Sequence, residues 1–123
     1  MSDTLDLAAR FIDAVAAGDL DTVRAIYAPD AVIWHNNDQR ETTVEENLRV
    51  LGWMAQNVTD KRYTDIRCQE TDTGYVEQHV LQGKGPRGNE FVLPACLVVE
   101  VRDGRVTRLE EYFDTAALAP LMP

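Results

Sequence analysis

At 123 residues, 45% of them hydrophobic, the chain is long enough for one domain with a single sizeable core and too short for two. Twelve basic against 21 acidic side chains leave a net charge of −9, which repels phosphate backbones and anionic lipid and so argues against nucleic-acid and membrane-surface roles. Two cysteines, Cys68 and Cys96, suffice for neither a zinc site nor a disulfide framework. The start "MSDTLDLAAR" lacks the basic and apolar runs of a secretory signal, so free thiols in a reducing cytoplasm are expected.

From Thr4 to Ala17, Leu5, Ala8, Phe11, Ile12 and Val15 repeat at helical spacing, and Gly18 is placed to end the helix. Asp19 can cap a second, short helix with Leu20, Val23, Ile26 and Tyr27 inward, stopped by Pro29. "AVIWH" reads as a first strand. Thr43 and Glu46 form a capping-box pattern ahead of a third helix, whose inward stripe is Val44, Leu48, Leu51, Met54 or Ala55, and Val58. The second half reads as β: Tyr63–Glu70, then "YVEQHVLQG", the loop "GKGPRGN", "EFVLPACLVVEV", and "RVTRLEEYF" after an "RDG" hairpin turn. The glycines around Lys84 join two strands and precede no helix, which is the wrong setting for phosphate binding.

Helices followed by hairpin-connected strands predict an α+β domain with the helices on one face of an antiparallel sheet. In "FVLPACLVV" both alternating sets are apolar, so the outer face of that strand also needs cover. A second subunit there is expected, giving a homodimer through the outer sheet face.

The segments "RFIDAVAAGDLDTVRAIYAPDAVIWH" and "VVEVRDGRVTRLEEYFDTAAL" resemble the nuclear transport factor 2-like superfamily. Within it they look like the SnoaL-like branch of polyketide cyclases, related to ketosteroid isomerases. The likeness spans nearly the whole chain. It implies a cone-shaped α+β fold over residues 1–123, with N-terminal helices on the concave face of a curved antiparallel sheet. It also implies a cavity for a small, largely apolar organic ligand and no cofactor. Laid on the steroid isomerases, His35 falls where they carry the proton-moving carboxylate. Their enolate-stabilising tyrosine falls at Phe11 and their assisting aspartic acid at Cys96, and neither side chain is an adequate donor. Ketosteroid isomerisation by that mechanism is therefore not expected. Epoxide hydrolysis of the kind found in this fold needs Arg and Asp, which "YVEQHVLQG" lacks. SnoaL-type cyclases use an acidic residue near the end of the last long strand, where Glu111 and Asp114 both lie.

Alternation places His35 with Ile33, facing the helices, and opposite Trp34. Glu111 shares parity with Leu109 and Phe113, which look inward. His79 shares parity with Tyr75, Glu77 and Leu81, but neither set of that strand is cleanly apolar, so a core histidine and a pocket histidine stay equally open. Asp114 is a good N-cap for "TAALAPL" as well as a candidate contact. Tyr27, Trp53 and Met54 offer aromatic and soft surface, and Asn36 a polar contact at the mouth. His35, Glu111 and His79 are the candidate acid–base set. Phe11, Tyr27, Asn36, Trp53, Met54, Cys96, Phe113 and Asp114 are candidate ligand contacts. Three ligands from three strands without local spacing give no reason to expect a metal. The expected function is proton transfer in an isomerisation, cyclisation or elimination. The alternatives are a non-catalytic protein binding a small hydrophobic ligand and a dimerisation module with a filled cavity.

Overall fold

The structure is a computed structural model that describes residues 2–121. Its elements are α1 (Asp3–Ala17), α2 (Leu20–Ile26), β1 (Tyr27–His35), β2 (Glu41–Thr42), α3 (Val44–Asn57), β3 (Thr59–Glu70), β4 (Gly74–Lys84), β5 (Glu90–Arg102), β6 (Arg105–Phe113) and a terminal 3-10 segment (Thr115–Leu121). The helix ends follow the capping residues. Ser2 Oγ accepts from the Leu5 N–H at one end of α1, and Gly18 closes the other with a φ of 72°. Asp19 caps α2 through the Thr22 N–H, and Thr43 and Glu46 exchange both bonds of a capping box on α3.

The six strands form one sheet in the order β2-β1-β6-β5-β4-β3. All neighbours are antiparallel except β1 and β6, which run parallel, so the sheet is mixed and the α+β class stands. The parallel pairing places His35 directly opposite Glu111. β1 begins at Tyr27, four residues before "AVIWH", and its pairing with β6 is interrupted between Tyr27 and Val32, where Pro29 lies. β3 also starts earlier than its apolar pattern suggests, at Thr59. Asp60 and Asp65 adopt positive φ within its two register shifts, and such bulges bend a strand and increase its twist.

The inner face of the sheet and the apolar faces of α1, α2 and α3 enclose the main core, with Phe11, Ile26, Ile33, Val99 and Val106 at its centre. A smaller cluster of Val58, Leu81, Phe91, Leu93 and Leu121 closes the end under the 3-10 segment. On α3, Met54 and not Ala55 continues the inward stripe, whereas Trp53 is 41% exposed.

Candidate active site

Between the two clusters lies a cavity of about 490 Å³, in the size range of small-molecule sites. Its walls are mostly apolar, with Phe11, Tyr27, Met54, Leu97 and Phe113 among them, and His35, Glu111, His79 and Tyr63 reach into it. His35 and Glu111 are delivered by the parallel β1–β6 pair, in which Ile33 and Leu109 bury the same face and Trp34 packs on Tyr112 on the other. His35 Nε2 lies 3.0 Å from Glu111 Oε1. Burial alone would lower the basicity of His35. The hydrogen-bonding and charge of Glu111, helped by Asp38, more than offset it, so the ring titrates above its ordinary value.

His79 lies on the inner face of β4 at 5% exposure, its ring edge-on to Tyr63 at 4.9 Å between centroids. Its Nδ1 is 2.5 Å from Oε2 of Glu77, a carboxylate only 1% exposed. The Cys68 thiol donates to the other oxygen of Glu77 at 3.3 Å. Burial, the charge of Glu77 and that hydrogen bond push the Cys68 thiol up to about 12. Burial first, then Glu111 and Glu77, also raise the Tyr63 phenol, which therefore stands within the field of both carboxylates. Tyr27 donates to Asn47 Oδ1 at 2.8 Å, and its phenol is raised by burial and by Glu111. The Tyr75 hydroxyl, behind this group, is buried without a partner among the described residues.

Sequence reasoning missed Tyr63 on β3 and, with more consequence, Glu77. Its parity with His79 was visible, but Gln78 and Gln82 alternating with Val76 and Val80 hid which face of β4 was inside. The pairing of Tyr75, Glu77 and Leu81 with the buried Val99, Leu97 and Leu93 of β5 settles the face.

Four expected ligand contacts are elsewhere. Cys96 pairs with Gln78 and Tyr112 on the outer face of the sheet, because its parity is that of Val92 and Val98. Its inner neighbours, Ala95 and Leu97, have no side-chain donor. Trp53 faces solvent on α3, one residue off the inward stripe. Asn36 spends its side chain on the Phe113 backbone, donating to its carbonyl at 3.0 Å and accepting from its N–H at 3.1 Å. It thereby continues the β1–β6 ladder beside Glu111. Asp114 is exposed and accepts from the Ala116 N–H at 3.0 Å, so it caps the 3-10 segment. Among the described residues no group of three or more His, Cys, Asp and Glu is arranged to hold a metal ion.

A curved mixed sheet roofed by helices is the nuclear transport factor 2-like fold of α+β domains. The SnoaL-like domain family matches residues 8–109, and the chain belongs to that family. A candidate polyketide cyclase from Xanthomonas campestris has a similar structure. Its TM-score is 0.84 at 24% identity, with 98% of this chain and 97% of that one covered. An NTF2-like protein of unknown function from Burkholderia pseudomallei superposes with a TM-score of 0.86 at 19% identity, over the whole of both chains. For the candidate polyketide cyclase IdmH of Streptomyces antibioticus the TM-score is 0.82 at 25% identity, covering 96% of this chain and 97% of that one. Comparison with curated protein sequences finds no match. No helix among the described residues is long and apolar enough to cross a membrane.

Proposed function

We propose that the protein is a cofactor-free enzyme that moves protons on a largely apolar organic substrate held in the cavity, in an isomerisation, cyclisation or elimination. The observation that carries this reading is the His35–Glu111 contact of 3.0 Å at the wall of a mostly apolar cavity. With Nε2–H turned to the carboxylate, the neutral ring keeps a lone pair on Nδ1, which removes a proton from a C–H bond. Glu111 holds that tautomer and stabilises the imidazolium that forms. The same proton is then returned to another atom of the substrate. Apolar walls such as Phe11, Leu97 and Phe113 hold the carbon skeleton and keep bulk water from screening the charges.

The class is tested with 5-nitrobenzisoxazole, an apolar compound whose ring opens when a base removes its one acidic C–H proton. Wild-type protein should turn it over and His35→Ala should not, with unchanged thermal unfolding as the control. Binding of the probe without turnover by wild type would favour the non-catalytic ligand carrier of the same fold.

The working assembly in this reading is a homodimer. It is supported by the outer sheet face, where Val92 at 55% and Val98 at 39% exposure share the outer parity of β5 with Cys96, which pairs with the exposed Tyr112 of β6. A reducing cytoplasm suits Cys68 and Cys96, both free thiols, on opposite faces of the sheet.

A further inference from the structure

The Glu77–His79 pair is more deeply buried than the catalytic reading of His35 requires, and nothing in that reading uses Glu77. Its chemistry follows from a proton count. Two electronegative atoms 2.5 Å apart need a proton between them. If the pair is neutral overall, either a carboxylate faces an imidazolium or a carboxyl group donates to a neutral ring. In both arrangements the distal Nε2 carries a hydrogen. The remaining arrangement, a carboxylate against a neutral ring with a bare Nε2, leaves one uncompensated negative charge at a side chain 1% exposed. Burial opposes that arrangement. No arginine or lysine among the described residues pairs with Glu77, and the Cys68 thiol that also donates to it brings no charge. His79 Nε2 has no protein partner among the described residues and is not sealed off, while the residue lines the cavity.

We propose that Glu77 is a positioning residue that fixes His79 with Nε2–H directed into the cavity, where it receives the negative charge developing on a substrate oxygen. This rests on the acid–base reading of His35 and narrows the substrate to an apolar carbonyl compound with an ionisable C–H. In the step, the C–H proton passes to His35 Nδ1. The electron pair of that bond moves into the conjugated system, and the carbonyl oxygen becomes an oxyanion hydrogen-bonded by His79. Return of the proton to carbon closes the cycle with no other reactant.

Two measurements test this without substrate turnover. Long-range proton–nitrogen NMR of histidine-labelled wild-type protein should show a hydrogen on His79 Nε2 at neutral pH. Glu77→Gln should retain it, because the Cys68 thiol orients the amide with its NH2 toward Nδ1, whereas Glu77→Leu should give a mixture of tautomers. Second, 4-nitrophenol bound in the cavity should ionise more readily in wild type than in His79→Phe, with the bound phenolate-to-phenol ratio falling about tenfold or more in the variant. A bare Nε2 in wild type, a single Nε2–H tautomer persisting in Glu77→Leu, or an unchanged ratio in His79→Phe would each overturn the proposal. Failure of wild type to turn over 5-nitrobenzisoxazole, with these signals intact, would count against the acid–base reading alone.

Discussion

Glu77 and Glu111 occupy the same rung of the sheet with Leu97 between them: Glu77 pairs with Leu97 on β5, and Leu97 pairs with Glu111 on β6. Two strand spacings put their backbones about 10 Å apart. Each carboxylate holds a histidine, but in different surroundings. The His35 and Glu111 side chains keep 26% and 21% of their surface, whereas His79 and Glu77 keep 3% and 1%. The first pair can exchange protons with solvent during a reaction. The second is suited to a fixed hydrogen-bonding role.

The pH dependence of stability should carry the signature of His35. Folding raises its proton affinity above the ordinary value of 6.5, so the protonated ring stabilises the native state. That contribution is full below about 6.5 and fades as pH rises through the higher folded value. Denaturant unfolding of wild type should therefore lose stability across this window relative to His35→Gln. Glu111→Gln should lower the His35 titration midpoint observed by NMR. A midpoint at or below 6.5 in wild type would contradict the influence assigned to Glu111.

Cys68, pushed up to about 12, is almost entirely un-ionised at neutral pH and should react slowly with iodoacetamide. Glu77→Gln weakens the acceptor that holds the thiol proton and should speed its alkylation, as read by mass spectrometry of the labelled peptide. Equal rates in wild type and Glu77→Gln would argue against the hold of Glu77 on the thiol proton.

Gly74 begins β4 directly against the β5 backbone at Val99 and Glu100. A Cβ there would lie 2.0 Å from the Val99 carbonyl oxygen, and no rotamer relieves a clash with backbone. Gly74→Ala should cost about 3 kcal/mol or more of stability, measured by chemical denaturation. A loss under about 1 kcal/mol would mean that this strand junction is looser than described.

How much was legible in the chain depended on which physical signal each residue carried. The helices were readable because Gly18, Asp19 and the Thr43–Glu46 box mark their ends. His35 and Glu111 were readable because Ile33, Leu109 and Phe113 give their strands an apolar parity. β4 had no such parity: a buried Glu77–His79 pair satisfies itself, so its strand need not be apolar on the inside. Cys96 was placed by the likeness to the steroid isomerases, and the strand pattern offered no correction, because both parities of β5 are apolar and alternation says nothing about which is inside. The parallel β1–β6 pairing and the early starts of β1 and β3 depend on long-range pairing and on bulges at Asp60 and Asp65, which a local pattern does not encode.

The apolar outer parity of β5 has its own consequence. If it is an interface between two copies, sedimentation equilibrium should give a dimer for wild type, and Val98→Lys or Val92→Lys should give a folded monomer. A wild-type monomer at micromolar concentration would leave this face without its proposed partner.

The most direct test of the central proposal is the pH–rate profile of wild-type turnover of 5-nitrobenzisoxazole, set beside the NMR titration of His35 in the same protein. The rate should rise with pH along a curve whose midpoint coincides with that of His35, above 6.5, and Glu111→Gln should shift both downward together. A rate that follows a different midpoint, or that persists unchanged in His35→Ala, would show that His35 is not the base.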